Sequence, residues 1–458
     1  MNYLFKKNFL SDALVIIAGA LLLCIPAFYN GFPIVCSDSG TYIGACFEHT
    51  LPVDRPIAYA FFLRHFSLAT SLWIPLLVQA IVLASLLFFC CRYVPPQPLP
   101  RPLLLALYLL LAGGSALAAT TSQLMTDVFT SALLLSLLLL LVPVNVPKSV
   151  RRYAAVIAVF SMMAHLSNLL TAAALLALLL TIGIVRRKKH PQQLKRIFMA
   201  MLLIPATFLC MLLLNRSVAG EWIVLPKGRP VFMMGRLVQT GLINDYLDEN
   251  CGKKPISLCR YRDHFDVDFL WNPQSPLNQE YKWEEHGWER AAKEYDPVIR
   301  DFFSNPRNLG RFAWRSVTDA GAELLEHRII ISNFQLEGSA PYGAIAWHFP
   351  SLLDSYRHAR QNVRGLDFSG LELSMMIVSG LAGVLLAALF IFRRRQIPAA
   401  LLLATVVSLL FLVLNDWVCV TFAMVDPRYN VRLLWLLPFL ALLLLSGSFA
   451  EKKQGLRS

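Results

Sequence analysis

Charge is what this sequence has least of. Only 16% of its 458 residues are Asp, Glu, Lys or Arg, against 56% hydrophobic, and long stretches such as LLLALYLLLAG, LLLSLLLLLV and LLTAAALLALLL carry none. Several such runs on one chain exclude an ordinary soluble enzyme. A run of about 20 apolar residues rises far enough as a helix to cross the hydrocarbon core, where unpaired backbone groups are not tolerated. Internal repeats are absent, as is a matched pair of interrupted apolar runs in two halves, the pattern many transporters show. No histidine stands at zinc-finger spacing from the nine cysteines.

What charge there is falls in clusters. The net charge of +13 does not point to nucleic acid, because the basic residues are dispersed rather than gathered on one surface. They sit beside apolar ends: Lys6 and Lys7, Arg92 and Arg101, Lys148 with Arg151 and Arg152, residues 186–189, residues 393–395, and Lys452 with Lys453. Positive residues at span ends stay in the cytoplasm, and these clusters recur after every second apolar run. The expectation is an all-α polytopic protein of the inner (plasma) membrane with about ten spans. These are 12–30, 72–91, 102–120, 124–143, 153–168, 169–185, 197–215, 371–392, 398–422 and 431–449, with both termini cytoplasmic. The first run lacks a small-residue cleavage site, and Leu23 before Cys24 makes a poor lipoprotein signal, so it reads as an uncleaved anchor.

This topology divides the chain into a transmembrane module at 1–215, an extracytoplasmic cap at 216–370 and a second transmembrane module at 371–458. Residues 31–71 form a long first outer loop whose apolar second half, from Ile57 to Thr70, predicts an interfacial helix with Arg64 and His65 embedded. An early start of the second span is the competing reading. In the cap, the spacing of Trp288, Ala292, Tyr295, Ile299 and Phe303, then Phe312, Val317 and Leu324, predicts two amphipathic helices over 284–327, broken at Pro306.

Cys24, Cys90, Cys91, Cys210 and Cys419 fall in spans, where cysteine serves as a small apolar residue. Cys36, Cys46, Cys251 and Cys259 fall on the outer side, where disulfides form. Four cysteines allow three pairings, of which the local one, 36–46 with 251–259, is the simplest; metal binding is the alternative.

Ionised carboxylates near the outer face need a partner or water, which makes them site candidates. Asp38 lies in SDSGTY, Asp54 opens Asp54-Arg55-Pro56, Asp127 sits in the turn before the fourth span, and Asp416 lies near the outer end of the ninth. Each alone reads equally as a helix cap or loop charge. Together with Arg55, His65 and Arg428 they gather on one side of the membrane. A carboxylate there can act as general base, and arginine suits a lipid phosphate because its fork matches the phosphate oxygens. Arg428 and Tyr429 in DPRYNVR precede the last span, where anchoring to headgroups is the plainer role. Lys227, Arg229 and Arg236 form a weaker basic stretch at the start of the cap.

These features resemble the GT-C superfamily of membrane glycosyltransferases, which includes protein O-mannosyltransferases and the transferases that add aminoarabinose to lipid A. The resemblance lies in the long first outer loop with Asp38, the interfacial segment opening on Arg55-Pro56, Asp127 between the third and fourth spans, and Arg428-Tyr429 before a Leu/Pro-rich last span. It covers 1–215 and 371–449 in layout, and the paired acids common in that loop are missing, since serines flank Asp38. It implies a polyprenyl-phosphate sugar as donor, a glycolipid, polysaccharide or protein as acceptor, Asp38 as base supported by Asp54 and Asp127, and Arg55, His65, Arg229, Arg428 and Tyr429 around the lipid phosphate. No cofactor is required; a divalent ion beside Asp38 and Asp127 is compatible with it. Two other classes stay open: a transporter or flippase, disfavoured because the span centres hold few ionisable residues, and a non-catalytic assembly protein whose cap binds a partner.

Overall fold

A computed structural model describes all residues except 1, 143–144, 186–190, 266–267, 282–286 and 456–458, and side chains except those of 1–9 and 448–458. The basic residues 186–189, the side chains of Lys6, Lys7, Lys452 and Lys453, and the first residues of the predicted 284–327 helices therefore lie outside the described set. The described residues form helices joined by turns and loops, with no strands and only two isolated β-bridges.

Among the described residues, six helices are long and apolar enough to cross a membrane: Trp73–Tyr93, Leu166–Val185, Pro191–Ala219, Ser369–Gln396, Ala399–Phe422 and Arg428–Gly447. Three shorter apolar helices, Leu10–Leu23, Arg101–Gly114 and Val128–Leu141, accompany them. The chain is thus a membrane protein by its apolar helices. Val128–Leu141 shows why length alone undercounts. Its 14 residues rise about 21 Å, short of the roughly 30 Å hydrocarbon core, yet nearly every one is buried. A helix apolar all round belongs inside a bundle, and this one is enclosed by Trp73–Tyr93, Lys148–Ala164, Pro191–Met201 and Ala399–Phe422.

The boundaries move where local chemistry dictates. The third run stops at Gly114, and Leu117–Thr121 follows as a separate short helix. The fifth and sixth part at His165, whose backbone is extended, rather than at 168. After helix Ala58–Phe66 both Leu68 and Ala69 take positive φ, of 52° and 53°. That conformation is disfavoured for residues with a Cβ and ends the helix, so Trp73–Tyr93 starts afresh. Tyr59 and Phe62 turn inward against Phe129, and Phe62 also meets Phe160, leaving His65 and Phe66 outside.

The insert splits between two roles. Residues 229–323 build their own core around Trp288, Tyr295, Phe269 and Phe302, including the two amphipathic helices Gly287–Ser304 and Pro306–Glu323. Asn305 begins the second by accepting from the Arg307 backbone N–H, with Pro306 at the first helical position. The Cys251–Cys259 disulfide closes one of its loops. Residues 324–370 instead line the face of the helical bundle. Helix Ala340–His348 packs on helix Ser39–Gly44 so closely that a Cβ on Gly40 would stand 2.3 Å from the Ala340 carbonyl carbon. Gln361 ties this segment down: its N–H donates to Asn30 Oδ1 at 2.7 Å and its Oε1 accepts from Val35 N at 3.2 Å.

The 36–46 half of the local cysteine pairing is corrected by the structure, in which both thiols are free and buried. Helix Ser39–Gly44 separates them. Cys36 Sγ points to Gln123 Oε1 at 3.4 Å, and Cys46 packs with Ala45, Ile57 and Ala60.

Candidate functional site

Asp38 is positioned by a chain of backbone constraints. Asn30 and left-handed Gly31, with φ of 78°, end helix Ile25–Asn30. Ile34 then pairs with residues 122–124 through Ile34 N to Ser122 O and Leu124 N to Ile34 O. Ser39 Oγ accepts from Cys36 N and donates to Leu124 O, both at 2.9 Å. Residues 32–39 and 120–127 are thereby locked side by side, which brings Asp38 and Asp127 to one cavity although 89 positions separate them.

That cavity, of about 200 Å³, opens between the bundle and the insert. Asp38, Asp127, Asp426, Arg428, Tyr429 and Arg432 line it together with Phe232, Trp271, Ile329 and Ile330 of the insert. Asp38 is gripped from two sides. Arg55 Nη2 donates to Oδ1 at 3.0 Å, and Arg428 Nη1 donates to Oδ2 at 3.3 Å. Arg55 also donates through Nε to Asp54 at 2.8 Å and lies over the Tyr42 ring. Arg428 pairs with Asp426 at 3.2 Å and lies against the Tyr429 ring, which Arg432 meets as well. Burial pushes the Asp38 pKa upward, but the Arg55 and Arg428 guanidiniums outweigh it and hold the carboxyl well below the usual range. Asp38 is therefore held as an anion, and the cations that line the cavity are Arg428 and Arg432.

Beneath this layer Arg432 makes a second, deeper network. Nη1 donates to Asp127 Oδ1 at 2.7 Å, and Nη2 donates to Asn415 Oδ1 at 2.8 Å and to Cys419 Sγ at 3.3 Å. Asp416 is fully buried below it, its Oδ1 accepting from Asn415.

Of the residues singled out by sequence, the structure brings Asp38, Asp54, Asp127, Arg55, Arg428 and Tyr429 into one connected cluster. It leaves His65 and the basic stretch of Lys227, Arg229 and Arg236 outside. His65 is exposed, its Nδ1 on the Phe61 carbonyl and its ring against Phe61. Arg229 begins helix Arg229–Gln239 and donates to the Pro226 carbonyl, away from the cavity. Two contributors were not picked as site residues. Arg432 follows Arg428 by one helical turn, a spacing that places both on one face. Gln361 has no local signal, since its partners Asn30 and Val35 lie more than 300 residues away.

Among the described residues, no group of three or more His, Cys, Asp or Glu is set to hold a metal ion. Asp38 and Asp127 already face guanidiniums, so the donor set does not fit an ion between them, and no step below is routed through one. No protein-family model, no curated protein and no solved structure matches the chain.

Proposed function

We propose that the chain is a ten-span membrane glycosyltransferase of GT-C layout that moves a sugar from a polyprenyl phosphate to an extracytoplasmic acceptor. The topology belongs to the same proposal: both termini lie in the cytoplasm of the inner membrane, and residues 216–370 cover the outer face. The observation that carries this reading is Asp38, a carboxylate clamped between two arginines at the wall of a cavity roofed by the insert.

The geometry suggests how such a site works. A carboxylate paired to two cations is a weak base, because its basicity is spent on the ion pairs. A lipid-linked phosphate entering beside Arg428 competes for that guanidinium, being its better bidentate partner. As Arg428 turns to the phosphate, Asp38 loses one cation and gains proton affinity at the moment the donor is in place. The acceptor hydroxyl oxygen then attacks the anomeric carbon, its proton passes to Asp38, and the carbon–oxygen bond to the phosphate breaks with inversion. The departing polyprenyl phosphate keeps the electron pair, stabilised by Arg428. Arg55, braced by Asp54 and Tyr42, keeps Asp38 aimed throughout.

Purified protein in nanodiscs, given a panel of radiolabelled polyprenyl-phosphate sugars, tests the reading. Release of sugar from one donor is expected, and Arg428→Gln is expected to weaken donor use about 10- to 100-fold, the worth of a hydrogen bond to a charged group. Solute uptake into liposomes with no sugar released from any donor overturns it.

A further inference from the structure

A second cavity lies on the other flank of helix Ser39–Gly44 and takes no part in the chemistry above. It measures about 520 Å³ and is bounded by that helix, residues 45–54, Trp288 of the insert and helix Ala340–His348. Sites that enclose a small molecule run from roughly 300 to 1,000 Å³.

Three features define what it can hold. Small residues, Gly40, Gly44, Ala45, Gly343 and Ala344, make up part of its lining. A Cβ on Gly343 would meet nothing within 4 Å, so this glycine opens onto the cavity rather than onto a packed neighbour. One turn on, and so on the same helical face, Trp347 holds its indole 81% exposed. The rim is polar. His348 Nε2 and Glu48 Oε1 stand 3.1 Å apart, with the imidazole stacked on Phe47 and the Glu48 carboxylate half exposed. Asp54 lies in the wall, backed by Arg55. No lysine or arginine lines the cavity among the described residues.

An open indole beside an exposed carboxylate and an imidazole, above a surface of small residues, has the shape and polarity of a pyranose site. The flat face of a sugar ring presents slightly positive C–H hydrogens, which the negative face of an indole attracts. Its peripheral hydroxyls donate to the Glu48 carboxylate, while the open space at Gly343 lets the ring lie close. Glu48, half exposed at the rim with only the His348 imidazole beside it, repels a phosphorylated or carboxylated sugar, whereas Asp54 is buried and paired with Arg55. A purely apolar ligand would strip water from Glu48 without replacing it.

We infer that this cavity binds an uncharged or amino-bearing saccharide. It stands one arginine from the proposed base: Asp54 lines it, Asp38 lines the first cavity, and Arg55 bridges the two acids. Naming that saccharide the acceptor rests on the transferase reading; that it binds does not.

The test is titration of the full chain in nanodiscs with N-acetylglucosamine and glucosamine, read by saturation-transfer NMR, with galacturonate as acidic control. At least one of the first two binds and galacturonate does not. Trp347→Ala and Gly343→Leu each weaken binding by about tenfold or more, equivalent to about 1.4 kcal/mol, with an unchanged melting midpoint. Gly343→Leu puts a strong helix former into open space, so the fold is retained. Were Trp347 only an anchor in the lipid interface, Gly343→Leu would leave binding as in the wild type, which overturns the inference. So does failure of both sugars to bind, or equal binding of galacturonate. Saccharide binding that persists when no polyprenyl donor is turned over removes the transferase reading and leaves this site standing.

Discussion

Arg432 and Asp127 offer the sharpest energetic test of the architecture. Arg432 is 1% and Asp127 8% exposed as side chains, and their charged atoms stand 2.7 Å apart. Replacing Arg432 with Met removes the donor to Asp127, Asn415 and Cys419 together and leaves a carboxylate buried without its cation. Breaking a buried pair from one side costs about 3–5 kcal/mol, whereas removing both charges costs far less. Asp127→Leu alone should cost a similar amount for the mirror reason. The double variant Asp127→Leu/Arg432→Met should then be more stable than either single one, which requires a coupling larger than the cost of one single variant, above about 3–5 kcal/mol. Equilibrium unfolding by SDS titration in mixed micelles measures all four corners of the cycle. Additive costs, with the double variant the least stable, would show that the two charges do not depend on each other and would refute the network described here.

Other expectations follow from separate parts of the molecule. Gly40→Ala should destabilise by about 1–3 kcal/mol, the usual cost of overpacking, because the new methyl meets Ala340 backbone that cannot swing aside; unchanged unfolding would mean that the two helices are not packed as described. Non-reduced peptide mapping should show Cys251 joined to Cys259 and nothing joined to Cys36 or Cys46. Reduction should loosen the insert by about 2.5 kcal/mol, the loop entropy for a separation of 8 residues, seen as faster hydrogen exchange in residues 242–264. Glu323 is fully buried where the insert meets helix Ala399–Phe422, and burial, with Asp416, Asp426 and Glu326 nearby, raises its pKa from 4.5 to about 8. A carboxyl whose folded pKa is raised favours the folded state least when ionised. Docking of helix Pro306–Glu323 should therefore weaken as pH climbs from about 4.5 and level off above about 8. Limited proteolysis at pH 6 and 8.5 reads this out, and Glu323→Gln should abolish the difference; an equal pH effect in that variant would acquit Glu323.

Much of the fold is readable locally and much of the site is not. Apolar runs mark the long helices because lipid and a buried bundle both demand uncharged surface, and Pro306 marks the break between two insert helices because its ring cannot continue the first. The same patterns cannot tell lipid from protein as the apolar neighbour, so Val128–Leu141 reads as a span while the structure encloses it in other helices. The disulfide at 251–259 is short-range and visible in the spacing. The free state of Cys36 and Cys46 follows from their sitting at opposite ends of helix Ser39–Gly44, a geometry that spacing does not reveal. At the cavity, Asp38 and Arg428 stand out as charges beside apolar ends, and their contact spans 390 positions. His65 and Arg229 stand out for the same reason, yet the turn at Leu68 and Ala69 and the start of helix Arg229–Gln239 leave them outside. Local charge marks candidates; only the pairing of distant segments through Ile34, Leu124 and Gln361 sorts them.

The central claim is that Asp38 takes the acceptor proton. The direct measurement is single-turnover transfer from a radiolabelled polyprenyl-phosphate sugar by Asp38→Asn in nanodiscs, with donor binding followed in parallel. Loss of transfer by about 10²- to 10⁴-fold, the worth of a general base, with donor still bound, is what the account predicts. Transfer at the wild-type rate by that variant would contradict it.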